Sequence, residues 1–392
     1  MTTNISPNQF IIKASDWKTF FQSLSELDVN TTDKGHIFDR LTQLYLQASP
    51  TYKMKLKNVW LLRQVPPRVR KLLNLPGDDF GIDQIAETYD GEYWSIQSKF
   101  RSDTDSALSY GELSTFSTLS FVNCNEINLA LVSHTSMLPI RNRELLGEIK
   151  ELGLEQWSTI DQELWDAIRS LAKGKTKSLK PRKKRPHQQI AVKKVKDYFE
   201  NGDKKRGRII MPCGSGKSLV GFWSAETLDA KSILIAVPSL HLIRQTIKDW
   251  AREFLAKGEI PDWLVVCGNE KIAQLNKDEF VGGVYELGVE STTKTEKIKK
   301  FITNNTQKKK IIFSTYHSSK LIVDVASSVG FKFDLIICDE AHKTVGYREK
   351  PFAALVSDQR FKSKHRIFMT ATEKVIRNKN EDVISMDQNS ND

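Results

Sequence analysis

The chain has 392 residues, 39% of them hydrophobic and 27% charged, and a formal net charge of +11. Such a length can hold two domains with real cores, the composition is that of a globular protein, and no run of about 18 apolar residues is present to span a bilayer. The opening MTTNISPNQF lacks a basic and then apolar leader, and Cys124, Cys213, Cys267 and Cys338 lie too far apart for a zinc site or a disulfide framework. A reducing, cytoplasmic location is the expectation.

In chain order, HIFDRLTQLYLQ (36–47) has helical periodicity. Short strand-like runs follow: NVWLLRQV (58–65), IDQIAETY, EYWSIQSKF and INLALVSHT (127–135). This is α/β or α+β order. Two of these runs flank Tyr89-Asp90-Gly91. A three-residue loop there, with Gly91 left-handed, pairs Thr88 with Glu92 and Asp83 with Gln97. Lys99, two residues on, then shares their face. A two-residue loop at Asp90-Gly91 would instead pair Asp83 with Ser98 and separate the groups.

With the longer loop, an acid, an amide and an amine converge, as a metal-dependent nuclease requires. A hard cation such as Mg²⁺ takes oxygens from Asp83, Gln97 and the backbone near Ser98, and Lys99 steadies a water or the developing phosphate charge. The alternative is an exposed Asp83–Lys99 cross-strand ion pair worth about 0.5 kcal/mol, with no chemistry. Asp78, Asp79 and Asp90 read as turn residues. Trp60 and Trp94 read as core aromatics.

Residues 171–196 carry 11 cations and no acid, whereas residues 1–170 carry 17 basic and 22 acidic groups. Within that stretch KGKTKSLKPRKKR (173–185) is too self-repelling for a core element. It reads as a solvated hinge, able also to contact phosphate backbones by counterion release. The predicted organisation is a first domain over 1–170, a basic linker over 171–184 and a second domain over 185–392.

Beyond the linker, the strand-length runs GRIIM, SILIAVP, WLVVCG, KIIFSTY, DLIICDE and RIFMTAT alternate with helical stretches. Apolar strands without polar alternation predict a parallel sheet covered on both faces. Residues 270–310 read as a polar excursion between strands rather than a core element. IIMPCGSGKSLVGFWSA has the layout of a phosphate loop: Gly214, Ser215 and Gly216 bring backbone N–H groups to phosphates, Lys217 reaches the outer phosphates, and Ser218 offers a hydroxyl to Mg²⁺. FDLIICDEAHKT delivers Asp339 and Glu340 at a strand's C-terminal end, where ligands of open α/β sheets bind. Asp339 is placed to hold the cation and Glu340 to orient the attacking water.

From RPHQ (185–188) to TATEK (370–374), half of the chain resembles the first RecA-like lobe of a superfamily 2 helicase or translocase of the DEAH-box kind. That resemblance implies that Gln188 reads adenine. It implies that VPSLHLIRQT (237–246) and STYHS (314–318), with Arg244, Thr315 and Tyr316, touch the DNA backbone, and that His342, Thr370 and Thr372 couple hydrolysis to strand movement. The Gly-Ile-Asp and Gln-x-Lys pattern around Asp83, Gln97 and Lys99 resembles the Mrr-like branch of the PD-(D/E)xK nucleases. It implies a further acid on the preceding helix, for which Asp39 stands where the family more often has Glu.

Together the halves resemble the N-terminal part of type ISP restriction enzymes. The implied fold is an α/β chain: a restriction-endonuclease-like α/β/α domain followed by one RecA-like parallel-sheet lobe. The implied cofactors are ATP and Mg²⁺, and the implied partner is DNA. A second lobe and a methyltransferase and target-recognition region are expected downstream or in trans. The alternatives are a truncated remnant that binds DNA or a partner subunit without cutting, and a helicase with a purely structural first domain.

Overall fold

A computed structural model describes residues 6–77, 81–201, 204–268, 283–344, 346–347, 355, 361–372 and 383–384. Asp78, Asp79, the last two residues of TATEK and 269–282 of the polar excursion lie outside the described residues. The chain forms two compact units, Met1–Ser178 with Tyr285–Val289, and Leu179–Val284 with Glu290–Asp392. No described helix is long and apolar enough to cross a membrane.

The first unit runs α1 (Pro7–Lys13), α2 (Trp17–Glu26), α3 (Thr31–Ala48), α4 (Pro50–Lys53), β1 (Leu56–Leu61), α5 (Pro67–Leu72), β2 (Gln84–Thr88), β3 (Tyr93–Lys99), α6 (Tyr110–Thr118), β4 (Ile127–His134), β5 (Ile149–Leu152), α7 (Leu154–Ser158) and α8 (Gln162–Ala172). Its five strands lie in the order β1-β2-β3-β4-β5. The first three are antiparallel and the last three parallel. The Asn30 side chain caps α3 by accepting from Asp33 N–H at 2.7 Å. Apolar residues at Ile37, Phe38, Leu41, Leu44 and Tyr45 give that helix one buried stripe.

α3 meets the sheet on one side, where Thr42 and Ser133 hydroxyls sit 3.0 Å apart. The other side is closed by Leu113 and Phe116 of α6, packed with Ile85, Ala130 and Val132. This is the α/β/α sandwich that the sequence implies, and Trp94 is fully buried in it. Tyr285–Val289 also belongs to this unit. The Arg143 guanidinium lies 3.8 Å over the Tyr285 ring, and Gln156 Nε2 donates to the Glu286 carbonyl at 2.7 Å. Nothing in the excursion's composition signals that placement.

The second unit runs α9 (Pro186–Glu200), β6 (Arg206–Ile210), α10 (Lys217–Thr227), β7 (Ser232–Val237), α11 (Leu240–Ala256), β8 (Asp262–Val266), α12 (Thr295–Thr303), β9 (Lys310–Thr315), α13 (Tyr316–Ser328), β10 (Phe333–Cys338), β11 (Gly346–Tyr347), β12 (Ser363–Thr370) and β13 (Val383–Ile384). Six strands form a parallel sheet in the order β6-β12-β10-β7-β9-β8. Its central strands are buried almost throughout, which explains their unbroken apolar runs. The excursion 270–310 is not wholly outside the core. α12 buries Ile298 and Ile302 against Ile312 and Phe333, because its apolar residues recur at helical spacing.

The linker's second half is fastened rather than free. Arg182 pairs with Asp249 at 2.9 Å, its N–H donates to the fully buried Glu253 carboxylate at 3.1 Å, and Arg252 donates to the Lys180 carbonyl at 3.2 Å. A run of like charge is tolerated there because α11 supplies the acids.

Truncating the α6 anchor tests the first core: Phe116→Ala should lower the stability of the first unit by about 3–5 kcal/mol. In calorimetry of the full chain, one of two transitions should fall and the other hold.

Candidate active sites

In the second unit, β6 delivers the chain to the phosphate loop. Met211 N–H continues the β6–β12 ladder onto the Thr370 carbonyl at 3.0 Å, so the loop starts beside the threonine motif. Gly214 and Gly216 are left-handed, at φ +72 and +81. At Gly216 the requirement is also steric, since a Cβ there would sit 2.5 Å from Gln188 Nε2. Gln188 is buried and clamps the loop: its Oε1 accepts from Arg185 N–H at 2.9 Å, and its Nε2 donates to the Ser215 carbonyl at 3.0 Å.

α10 begins at Lys217. Its ammonium lies 3.3 Å from Glu340 Oε1 and 3.5 Å from the Met211 carbonyl. The Ser218 hydroxyl is buried with no hydrogen-bond partner. Such an oxygen costs about 1–3 kcal/mol unless something binds it, and a cation or phosphate at the helix N-terminus suits it.

β10 delivers Asp339, whose N–H still pairs with the Ala236 carbonyl of β7 at 2.9 Å. Burial pushes the Asp339 carboxyl up to about 6, with Glu340 adding to the rise and the Glu340 N–H and Lys217 opposing it. Glu340 is left-handed at φ +50, and its N–H donates to Asp339 Oδ1 at 2.9 Å. Thr370 Oγ1 donates to the Thr372 carbonyl at 2.8 Å and lies 3.0 Å from His342 Nδ1. The loop, the acids and the threonine motif thus meet at one sheet edge. A cleft of about 560 Å³ opens beside the loop, lined by His187, Ile190, Lys194, Ile210, Pro212 and Ser215.

Two segments read as DNA contacts behave differently. Arg244 is half-buried and His317 exposed, but Thr315 and Tyr316 are fully buried. The Tyr316 hydroxyl donates to the Asp339 carbonyl at 2.5 Å. Tyr316 therefore faces the nucleotide site's wall rather than solvent, a role that strand-to-helix spacing alone does not reveal.

In the first unit, Glu87 pairs with Tyr93 and Gln84 with Ile96, and Thr88 N–H closes the loop onto the Glu92 carbonyl at 2.8 Å. Gly91 is left-handed at φ +82. The loop has three residues, and continued pairing sets Asp83 opposite Gln97. There the ladder gives way to the Asp83 side chain. Its N–H donates to the Ile96 carbonyl at 2.9 Å, and its Oδ2 accepts from Ser98 N–H at 2.6 Å. The carboxylate thus lies against β3 between Gln97 and Lys99. Gln97 is buried and its Oε1 has no hydrogen-bond partner. Gly81, at φ +111, leaves room for its Nε2, 3.3 Å from where a Cβ would stand.

Alternation puts Ser98 on the α3 side of the sheet and Gln97 with Lys99 on the α6 side. Asp39 approaches from the Ser98 side, through its carbonyl, which accepts from Gln84 Nε2 at 3.0 Å. Among the described residues no group of three or more His, Cys, Asp and Glu could hold a metal. A cation at this ribbon therefore depends on Asp83, the unpartnered Gln97 oxygen and main-chain carbonyls, a set of hard oxygens that fits it. Sequence reading missed what lies beside Lys99. Its β4 partner His134 is buried, with Nε2 3.4 Å from Glu151 Oε2, and Arg143 Nε donates to Glu151 Oε1 at 2.6 Å.

The two units match two family models: "Type III restriction enzyme, res subunit" over residues 182–375 and "Restriction endonuclease" (Mrr_cat_2) over residues 47–146. A helicase-type ATPase domain and a restriction-endonuclease domain lie on one chain. The probable helicase A859L of African swine fever virus (isolate Tick/Malawi/Lil 20-1/1983) is 32% identical over 171 residues, 43% of this chain and 17% of that protein. The XPB helicase/translocase subunit of Schizosaccharomyces pombe is 34% identical over 83 residues, 21% of this chain and 9% of that protein. The DNA-bound structure of the ATP-dependent Type ISP restriction-modification enzyme LlaBIII aligns over 94% of this chain and 24% of its own, with TM-score 0.69 and 26% identity. The chain spans about a quarter or less of the length of these proteins.

Two measurements test the ATP site. Gly216→Ala should weaken nucleotide binding, read by titration with a fluorescent ATP analogue, because φ +81 strains a residue with a Cβ and the new methyl group displaces the Gln188 amide from the Ser215 carbonyl. The raised Asp339 carboxyl means that folding disfavours its ionised form: stability is fullest below its unfolded pKa and is lost as pH rises through about 6. That amounts to about 3 kcal/mol at pH 8. In EDTA, Asp339→Asn should melt several degrees above wild type at pH 8, with the gap closing toward pH 4.

Proposed function

We propose that the chain is part of an ATP-dependent restriction nuclease in which the second unit hydrolyses ATP with Mg²⁺ and the first cuts DNA phosphodiesters with Mg²⁺. The observation that carries the nuclease reading is the unpartnered Gln97 oxygen on the ribbon that holds the Asp83 carboxylate and Lys99. In the second unit Ser218 and Asp339 hold the cation, backbone N–H groups of Gly214–Ser218 and the Lys217 ammonium bind phosphates, and Glu340 orients the attacking water. For that, the incoming phosphates must draw Lys217 off Glu340, which frees the carboxylate for the water. The apolar cleft by His187 and Pro212 accepts the base, with Gln188 holding the Ser215 carbonyl beside it. His342 and Thr370 carry the change to Thr372 and the chain beyond.

In the first unit Asp83 and Gln97 hold the cation. A bound Mg²⁺ would supply charge neutralisation and a more acidic water. Lys99 donates to the scissile phosphate or its water, and the carbonyl side of Ser98 completes the oxygen set. Asp39, arriving from the other side of the sheet, contributes less than Asp83. DNA is the substrate, and a second RecA-like lobe and a methyltransferase and target-recognition region act with this chain, downstream or in trans. A lobe that supplies arginines in trans would raise ATP turnover by about 10³–10⁵.

Plasmid nicking and ATPase assays of the full chain with Mg²⁺ separate the sites. Lys99→Ala should lose about 10²-fold or more in nicking with ATPase unchanged, and Lys217→Ala should lose ATPase. Nicking by Lys99→Ala at the wild-type rate would remove the nuclease assignment. Loss of ATPase in Lys217→Ala with no nicking by any variant would leave the first unit structural.

A further inference from the structure

We propose that Tyr316 is a positioning residue for ATP hydrolysis, holding the Asp339–Glu340 peptide plane so that the Glu340 carboxylate faces the water. This rests on the ATPase reading above. The carbonyl of Asp339 and the N–H of Glu340 belong to one peptide unit. The first accepts from the Tyr316 hydroxyl at 2.5 Å, and the second donates to Asp339 Oδ1 at 2.9 Å. Clamped at both ends, the plane cannot turn, and its orientation sets ψ of Asp339 and φ of Glu340. The clamp is needed because Glu340 sits at φ +50, in the left-handed region where a residue with a Cβ is strained. Released, the peptide would flip toward negative φ and swing the carboxylate away.

The donor is itself fixed. Tyr316 is fully buried, and burial raises its hydroxyl well above the usual tyrosine range, so it keeps its proton at neutral pH. It opens α13 directly after Thr315, whose side chain caps that helix by accepting from Ser318 N–H. His317, next along, is exposed. A shift of that helix end, where the exposed His317 could feel a ligand, would move the Tyr316 hydroxyl and with it Glu340. Lys217 meets Glu340 only at the carboxylate, 3.3 Å away, and leaves it for the phosphates when nucleotide binds, so the clamp acts on turnover rather than on nucleotide affinity.

The test is steady-state ATPase kinetics of the full chain as a double-mutant cycle. Tyr316→Phe removes one oxygen and keeps the ring. It should lower kcat about tenfold, the rate equivalent of one neutral hydrogen bond, while KM for ATP and Kd for a non-hydrolysable analogue stay within twofold. An unchanged Kd also certifies the fold. In a Glu340→Gln background, where orientation of the carboxylate no longer matters, Tyr316→Phe should have no further effect on residual kcat. A wild-type kcat in Tyr316→Phe, a Kd that collapses with kcat, or losses that multiply in the double variant would each overturn the proposal. Failure of wild type itself to hydrolyse ATP would instead strike the reading on which it rests.

Discussion

The length of one hairpin loop decides what the first unit can do. Three residues, Tyr89-Asp90-Gly91, set Asp83 opposite Gln97, and a loop one residue shorter would turn Lys99 and Gln97 to the other side of the sheet from Asp83. The loop holds because Gly91 takes the left-handed conformation that such turns need, and because the Thr88–Glu92 bond closes its base. Beyond the paired stretch, the Asp83 carboxylate replaces a ladder carbonyl by accepting Ser98 N–H. A regular sheet would have spent that position on backbone pairing. Here it is spent on holding an acid beside an amide and an amine.

The two units share a physical device despite unrelated sheets. In each, one oxygen that a cation would want is buried without a hydrogen-bond partner: Gln97 Oε1 on the ribbon and Ser218 Oγ at the start of α10. An unmet buried acceptor is a cost of about 1–3 kcal/mol, which a bound cation would offset. The Asp339 carboxyl, raised to about 6 by burial, is the same bargain made with charge. Both units give up stability in the free protein at the points where the proposed ligands would bind.

Much of this was legible in the chain's letters because period and punctuation were strong. Unbroken apolar strands announced the parallel sheet, a glycine-framed Lys-Ser pair announced the phosphate loop, and Gly91 announced the hairpin. What was not legible depends on tertiary context. Tyr316 follows a strand in a stretch expected to meet DNA, yet its side chain turns inward, because a hydroxyl is needed by a carbonyl more than 20 residues away in sequence. Ile298 and Ile302 lie in a segment whose polar average hid a helix with one apolar face. Tyr285 joins the first unit by stacking under Arg143, a contact with no local signal. Asp39 lies on the expected helix, but only the folded sheet shows that its carbonyl meets Gln84 from the Ser98 side.

The central claim is that a divalent cation sits on the hairpin between Asp83 and Gln97. Anomalous diffraction from crystals of the chain soaked in Mn²⁺ reads this directly. The account predicts a peak in the first unit about 2.0–2.3 Å from an Asp83 carboxylate oxygen and from Gln97 Oε1, absent in Asp83→Ala crystals. A well-occupied Mn²⁺ at the phosphate loop with none at the ribbon, or a peak at the ribbon that ignores Gln97, would contradict it.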